Sequence, residues 1–361
     1  MMAGCFVLLA ALMSLGILST GDHILPLSET RLLIENAASS DSTIQPEKIF
    51  QKTSGNHWKM WYDSEDPLVI SENHIKNETY KWTKFKAYYD PRIYENAETK
   101  MPSPQTVSMC IHETTSDRWV SKSILSSGRW QDCNSLSAWY YNSNHTTDGW
   151  YVDIGANIGS CVLQVLLTTN AKIIAFEPDP RNLFCLTSTI SQLPREMRKR
   201  VYVFPVALGA NQGTSEIHVA ADNRGNAVVG QQIIDHGYKQ QRFLEPLPIS
   251  IEVIDDLLDV SEAQINLVKL DAQGYECNIV QGMTQFLKKA KIVMFELEKA
   301  MLRSFPECSE EVLWNAFQGF DKYLNNKVYI DHSQKHAAIT NIPTVDAINL
   351  VARKRDEKVM Q

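Results

Sequence analysis

The chain has 361 residues, of which 44% are hydrophobic and 21% are charged, so it can bury a sizeable core as one large domain or two smaller ones. These proportions are ordinary for a globular protein. The formal net charge of −7 at pH 7 gives no support for nucleic-acid binding, which favours a basic surface.

The N-terminal residues 1–21 carry no charged side chain, and Ala3 to Leu18 is almost entirely apolar. This length suits the core of a signal peptide, about 7–15 residues, and is marginal for a membrane-spanning helix, which needs about 20. No Lys or Arg precedes it, and a buried helix of a cytosolic protein is the alternative. We expect the secretory pathway, with the leader either cleaved or kept as a single membrane anchor. Glycosylation sequons at Asn77 and Asn144 are consistent with a lumenal chain.

Six of the seven cysteines lie beyond the leader, and none has the spacing of a metal site. Cys110 and Cys133 flank one polar segment and could be bridged, which would stabilise the fold by about 3 kcal/mol. Cys161 and Cys185 lie among apolar neighbours on predicted helices. We therefore expect them to be buried free thiols.

The remaining chain divides into three predicted regions. Residues 22–105 lack a clear period and are predicted to be a stalk followed by an irregular region whose aromatic residues pack against the protein. Residues 106–148 are predicted to form a small cap segment. From Gly149 to about 355, strand and helix signals alternate, which indicates a parallel sheet with crossover helices.

Within this last region the apolar spacing predicts most of the elements. Strands are predicted at Trp150–Ile154, Lys172–Phe176, Val201–Val206, Thr214–Ala220, Ile249–Ile254, Leu267–Leu270 and Ile292–Leu297. Helices are predicted at Ile158–Leu167, from Pro180 to about Leu193, from Glu276 to about Lys289, and at Glu310–Leu324. Residues 222–230 are predicted to be a loop, either a lid over the site or a plain hairpin turn. Lys327–Ile330 and Ala347–Ala352 are predicted to close the sheet as a hairpin.

The stretch Val152–Ser160 reads V-D-I-G-A-N-I-G-S. A strand, a glycine turn and a helix in this order hold the polar part of a nucleotide-like ligand. At Gly155 and Gly159 we expect that a Cβ would block the ligand or forbid a positive φ. The middle glycine of the dinucleotide fingerprint G-x-G-x-x-G is absent, which disfavours a dehydrogenase. Glu177, at the end of the second strand, has the position of an acid that accepts hydrogen bonds from ribose hydroxyls.

Five motifs follow one another in the order V-D-I-G-A-N-I-G-S, A-F-E-P-D-P, V-A-L-G, K-L-D-A-Q-G-Y-E and G-M. From about Gly149 to Arg353 the chain therefore resembles the FkbM family of class I methyltransferases, which depend on S-adenosylmethionine. The resemblance implies an α/β, Rossmann-like fold with a seven-stranded, mostly parallel sheet whose last strand is antiparallel. It also implies methyl transfer to a hydroxyl, usually of a sugar or other small molecule.

The resemblance also assigns the cofactor site. The residues implied to surround the methionine part are Asp153, Gly155, Asn157 and Gly159, with Ala156 between them. Glu177, followed by Pro178, would hold the ribose, and Val206 and Ala207 would approach the adenine.

Asp271 is the candidate catalytic residue, because it follows the fourth strand at the edge where ligands of open α/β sheets bind. It would take the proton of the acceptor hydroxyl or orient the acceptor, and the alternative is that it caps the following helix. Glu276 is expected to be a helix-start residue, and Glu296 and Glu298 are expected to share a face.

The family usually reads D-x-E-G-x-E, whereas position 273 here is Gln273. This departure favours a second reading, in which the chain is a non-catalytic secreted or membrane-tethered module that keeps the fold. No metal site is expected, because His218, His332 and His336 lack a ligand spacing. The acceptor and the oligomeric state are not encoded in any recognisable motif.

Overall fold

A computed structural model describes residues 58–68, 75, 78–89, 106–143, 149–234, 240–325 and 338–355. The leader, both sequon asparagines, His332, His336 and the predicted strand 327–330 lie outside the described residues. Within these ranges, no helix is both long enough and apolar enough to cross a bilayer.

The strands are β1 Trp61–Tyr62, β2 Tyr80–Lys86, β3 Thr106–His112, β4 Trp150–Ile154, β5 Lys172–Phe176, β6 Val201–Phe204, β7 Ala207–Leu208, β8 Gly213–Ala220, β9 Asn223–Val229, β10 Leu247–Glu252, β11 Ile265–Leu270, β12 Ala290–Glu298, β13 Phe320–Leu324 and β14 Ala347–Lys354. The helices are α1 Val120–Ser127, α2 Leu136–Asn142, α3 Ser160–Thr168, α4 Pro180–Ser191, α5 Arg195–Arg198, α6 Ile254–Leu257, α7 Glu276–Gln281, α8 Thr284–Lys289, α9 Lys299–Leu302 and α10 Glu310–Ala316. A short 3-10 turn covers Gln131–Cys133.

The main sheet has the strand order β1-β6-β5-β4-β11-β12-β14-β13. The five consecutive strands β6, β5, β4, β11 and β12 are parallel to one another, and β14 runs antiparallel to both β12 and β13. The expected Rossmann-like sheet of seven strands with an antiparallel last strand is therefore confirmed. The short strand β1, from the region predicted to be irregular, adds an eighth strand at the edge, antiparallel to β6.

The strands at the centre of this sheet are buried on both faces, which is why most of their residues are apolar. All five residues of β4 are buried, and all six of β11. The two strands that carry the glycine turn and Glu177 begin and end where the apolar runs predict, at residues 150–154 and 172–176.

Three predicted elements differ from the structure in type or continuity, and several strand ends shift by a few residues. The helix predicted at 310–324 ends at Ala316, because Gly319 takes a φ of +85° and turns the chain into β13. The helix predicted after Glu276 is broken into α7 and α8 around Gly282. The predicted loop at 222–230 is mostly the strand β9, which pairs antiparallel with β8.

A second, four-stranded sheet has the order β7-β10-β8-β9, and a separate hairpin-like pair joins β2 to β3. This pair lies against α4, and the side chain of Thr189 accepts a hydrogen bond from the Cys110 N–H at 2.9 Å. The β2–β3 pair and the cap segment therefore pack onto the same side of the main sheet as α3 and α4.

Three disulfides cross-link the chain: Cys110–Cys185, Cys133–Cys161 and Cys277–Cys308. The predicted pairing of Cys110 with Cys133 is wrong, and Cys161 and Cys185 are not free thiols. Each of the first two bridges joins the region before residue 148 to a helix of the main domain. The sequence reasoning paired cysteines that are close along the chain, whereas the packing of β3 on α4 determines the partners.

Candidate functional site

A cavity of about 670 Å³ opens at the carboxyl ends of the parallel strands, and its size lies in the range of small-ligand pockets. It brings together most of the residues that the sequence assigns to cofactor and catalysis. The predicted residues that line it are Gly155, Ala156, Asn157, Glu177, Pro178, Val206, Ala207 and Asp271. Asp153 and Gly159 lie behind this wall and do not line it.

The two motif glycines are required by contacts within the protein. Gly155 has a φ of +81°, and a Cβ there would collide with the carbonyl oxygen of Asp271. Gly159 has a φ of +89°, and its Cβ would collide with the side chain of Leu186 on α4. The positive φ expected at both glycines is therefore confirmed, and a Cβ at either position would also collide with the protein itself. Gly155 fixes the position of the Asp271 backbone.

Asn157 also adopts a left-handed conformation, with a φ of +53°, which Asn tolerates better than most residues. Its side-chain oxygen accepts a hydrogen bond from the Ile158 N–H at 2.7 Å, and its side-chain nitrogen donates to the carbonyl oxygen of Gly225 at 3.2 Å. The glycine turn is thus tied to β9, which supplies part of the opposite wall.

The Glu177 carboxylate lies at the end of β5 and is 4% exposed. One oxygen accepts a hydrogen bond from the Asn157 N–H at 2.7 Å, and the other accepts from the Asp179 N–H at 2.9 Å. Burial, and then the charge of Asp179, raise the pKa of Glu177 to about 7. A cavity-lining carboxylate held by backbone donors is suited to accept hydrogen bonds from a diol such as ribose.

A buried ion-pair group lies at the floor of the site. In the parallel ladder Lys269 on β11 stands opposite Asp153 on β4, so both side chains point to the same face. The Lys269 Nζ lies 2.9 Å from Asp271 Oδ2 and 3.7 Å from Asp153 Oδ1. Burial alone would lower the pKa of Lys269, but the two carboxylates raise it above its usual range.

Asp153 is fully buried, and neither carboxylate oxygen has a hydrogen-bond partner within the described ranges. Burial raises its pKa to about 6, against the opposing effect of Lys269. Asp153 therefore acts on the site through Lys269, whose charge it shares with Asp271.

Asp271 forms no cap on the following helix. Its carboxylate accepts from Lys269 and, at 2.8 Å, from the side-chain nitrogen of Gln273. The cap-like contact belongs to Glu276, which accepts from the Ala272 N–H at 2.7 Å. Burial would raise the pKa of Asp271, but Lys269 and Gln273 lower it below its usual range. A carboxylate of low pKa stays ionised, so it remains a hydrogen-bond acceptor although it is a weak base.

Gln273 connects two carboxylates of the cavity wall. Its side-chain nitrogen lies 2.8 Å from Asp271 and 3.4 Å from Glu296. Burial first, and then the charge of Asp271, raise the pKa of Glu296 well above its usual range. Glu296 and Glu298 both line the cavity, as the alternation along β12 indicates.

Sequence reasoning missed several wall residues. Lys269 could have been found from its spacing, since residues two apart on a strand share a face and Asp271 follows at that distance. Trp119, Trp130 and Asp132 of the cap segment also line the cavity. They have no motif, and their place depends on how the cap packs on α3 and α4.

The sequence of the described domain matches one protein family. Residues 153–330 match the methyltransferase FkbM domain. The chain carries an FkbM methyltransferase domain. The matching residues contain the glycine turn, Glu177, Lys269 and Asp271, whereas the cap segment lies outside them.

Two curated relatives are similar to this domain. The hexuronic acid methyltransferase AglP of Haloferax volcanii is 25% identical over 146 residues, which are 40% of this chain and 54% of the relative. The 2-O-methyltransferase NoeI of Sinorhizobium fredii is 29% identical over 155 residues, which are 40% of this chain and 61% of the relative. The chain therefore spans about half to three fifths of the length of these relatives.

Among solved structures, a precorrin-6y C5,15-methyltransferase of Geobacter metallireducens is 14% identical. The superposition covers 61% of this chain and 89% of that protein, with a TM-score of 0.31.

The cofactor of this methyltransferase class is S-adenosylmethionine, and the cavity fits it. Glu177 is placed for the ribose, and the buried apolar Val206 and Ala207 line the wall beyond it. The ionised Asp271 lines the same cavity and would attract the positive charge of the cofactor. In the part of the chain that the structure describes, His, Cys, Asp and Glu form no cluster suited to a metal ion.

Proposed function

We propose that this protein is an S-adenosylmethionine-dependent O-methyltransferase whose acceptor is a hydroxyl of a sugar or other small molecule, and that it works in the secretory pathway. The observation that carries the proposal is the single cavity that joins the Gly155–Asn157 turn, Glu177 and Asp271 at one edge of the sheet. The relatives' descriptions, a hexuronic acid methyltransferase and a 2-O-methyltransferase, support a sugar as the acceptor.

The cofactor would supply an electrophilic methyl group on a sulfonium. The protein must then hold the acceptor oxygen in line with that methyl, at about 3 Å, because orientation supplies much of the rate enhancement. Asp271, whose pKa is lowered, would accept a hydrogen bond from the acceptor hydroxyl and orient its lone pair. The oxygen becomes strongly acidic as it gains the methyl group, so its proton would pass to this carboxylate and then to solvent. Lys269 fixes the Asp271 carboxylate, and Asp153 fixes Lys269 from behind.

The three disulfides support the proposed compartment, since such bridges persist mainly in oxidising environments. The apolar leader and the two sequons of the sequence agree with it. Secretion of a tagged full-length chain, with a mass shift on deglycosylation, tests this part. A reduced, unglycosylated protein confined to the cytosol would contradict it.

One observation favours the alternative of a non-catalytic module, namely the amide of Gln273 at a position that is usually a carboxylate in the family. The contacts of Gln273 are nevertheless compatible with catalysis, because its amide donates a hydrogen bond to Asp271 and leaves that carboxylate ionised. The absence of a carboxylate at position 273 therefore leaves Asp271 able to accept the hydrogen bond from the acceptor hydroxyl.

Calorimetry on the purified chain separates the two functions. We expect saturable binding of S-adenosylmethionine and of S-adenosylhomocysteine, and loss of both in Gly155→Arg and Glu177→Ala. Circular dichroism on each variant shows whether it still folds. Absence of binding at millimolar cofactor by the folded wild-type chain would refute the enzyme function.

A further inference from the structure

The cap segment supplies an aromatic wall to the cavity. Trp119 precedes α1 and is 56% exposed, and Trp130 is half-buried just before the 3-10 turn. Both line the same cavity as Asp271, and both lie outside the residues that match the family. An exposed indole beside a polar site is a good surface for the C–H face of a pyranose ring, because the ring is apolar on that face.

The cap is held in this position covalently. The Cys133–Cys161 disulfide follows directly after Asp132 and fastens the 3-10 turn to α3. A wall that is fixed to the cofactor-binding helix is pre-organised, which lowers the entropic cost of binding.

The polar part of this wall is acidic. Besides Glu177, the carboxyl groups that line the cavity are those of Asp132, Asp271, Glu296 and Glu298, together with one cation, Lys269. The raised pKa of Glu296 favours its neutral form, so the negative charge near the cap comes from Asp132, Asp271 and Glu298. The charge of Lys269 is already engaged by Asp271 and Asp153. Burial and the nearby Asp271 raise the pKa of Asp132, so added negative charge is already unfavourable there.

The arginines next to the two tryptophans do not change this balance. Arg129 lies over the Tyr88 ring, with its guanidinium carbon 5.3 Å from the ring centroid, and does not line the cavity. Arg118 lies over the Trp119 ring, with its guanidinium carbon 5.7 Å from the ring centroid. It is paired with Asp222 at 3.1 Å and does not line the cavity. An anionic acceptor would therefore meet several carboxylates and no available cation in the described wall, at a cost set by Coulomb repulsion.

We infer that the acceptor is a sugar without a carboxylate or phosphate group, bound against Trp119 and Trp130 of the cap segment. This inference rests on the proposed function. It separates this protein from its relative described as a hexuronic acid methyltransferase, because a hexuronate carries the charge that this wall opposes. Three residues outside the family match, Trp119, Trp130 and Asp132, thus contribute to the specificity.

The test uses the full chain saturated with S-adenosylhomocysteine, so that no turnover occurs. Paired methyl hexopyranosides and methyl hexuronides of the gluco, galacto and manno series differ only at C6. Isothermal calorimetry at pH 8 measures both members of each pair. We expect at least one neutral sugar to bind about tenfold or more tightly than its uronide.

Variants locate the binding surface. Trp119→Ala is expected to weaken binding of the neutral sugar by about tenfold. Trp119→Phe is expected to keep most of the affinity. Trp82 is the matched control, because it is 53% exposed on β2 and does not line the cavity. Trp82→Ala should leave binding unchanged. Asp132→Asn should strengthen binding of the uronides several-fold, with little effect on binding of the neutral sugars.

Three results would overturn the inference. The uronides could bind as tightly as the neutral sugars, Trp82→Ala could weaken binding as much as Trp119→Ala, or none of the paired sugars could bind. Failure of the proposed function gives a different result, namely that S-adenosylhomocysteine itself does not bind in the first titration.

Discussion

Replacing Gly155 by alanine tests how the glycine turn is built. The substitution forces a φ of +81° on an L-residue and drives a Cβ into the carbonyl oxygen of Asp271. The left-handed conformation alone costs about 1–2 kcal/mol. A backbone oxygen moves only if the β11–α7 turn moves with it, so we expect a total loss of about 3 kcal/mol or more in the free energy of unfolding.

Three other glycines provide matched controls. Gly213 has open space around its missing Cβ and no positive φ, so alanine should have almost no cost. Gly319 has open space but a φ of +85°, so alanine there isolates the backbone cost. Gly159 has a φ of +89°, and its Cβ would collide with the end of the Leu186 side chain, which can rotate. The expected order of destabilisation is Gly155, then Gly159, then Gly319, then Gly213.

The assay is urea unfolding of the full chain under oxidising conditions, followed by calorimetry with S-adenosylhomocysteine on each folded variant. Gly155→Ala should also weaken cofactor binding, because the displaced turn carries Asp271, whereas Gly319→Ala should not. If Gly155→Ala costs no more stability than Gly319→Ala, the close approach to Asp271 does not constrain the turn and the reasoning fails.

The other predictions concern charge and cross-links. Cofactor affinity should rise with pH through about 7, because the Glu177 carboxylate must be ionised to accept from the ribose and its pKa is raised to about 7; Glu177→Gln should abolish this dependence. Glu276→Gln should not, although burial raises its pKa equally, and a dependence that follows Glu276 would contradict the assignment. Lys269→Met should cost about 3–5 kcal/mol of stability, since it leaves two buried carboxylates unpaired. That loss should shrink at pH 5, where these carboxylates can take up protons, and a pH-independent loss would argue against the ion-pair group. The double replacement of Cys133 and Cys161 by alanine should cost about 3.6 kcal/mol, from the 28-residue separation of the bridge, and should weaken sugar binding more than cofactor binding. Equal effects on both ligands would show that the bridge does not act through the cap.

Much of the central sheet could be predicted because its strands are buried on both faces. In β4 and β5 the apolar runs are bounded by polar or turn residues, so even their ends are clear from the sequence. The helix α10 shows where this reasoning fails. Phe317 and Phe320 continue its apolar spacing, but Gly319 allows a left-handed turn, and the chain enters β13 instead. Local spacing does not reveal that competing pairing partner, β14.

Part of the candidate site could likewise be predicted from the sequence, and part could not. The position of Glu177 and the glycine turn follow from short motifs, because strand, turn and helix are consecutive in the chain. The pairing of Lys269 with Asp271 follows from their spacing in the chain. The contact of Lys269 with Asp153 needs the register of β4 against β11, which becomes visible only in the folded sheet. The partners of Cys161 and Cys185 likewise depend on tertiary packing.

The disulfides determine which fragments of this protein can be expressed in a native form. A fragment that begins at Gly149 would contain all the residues that match the family, yet it would leave Cys161 and Cys185 without partners and uncover the apolar faces of α3 and α4. Its reactive thiols would then be free to form intermolecular bridges. The residues that match the family are therefore not enough for expression. The cap segment and β3 must be expressed with them so that the native disulfides can form.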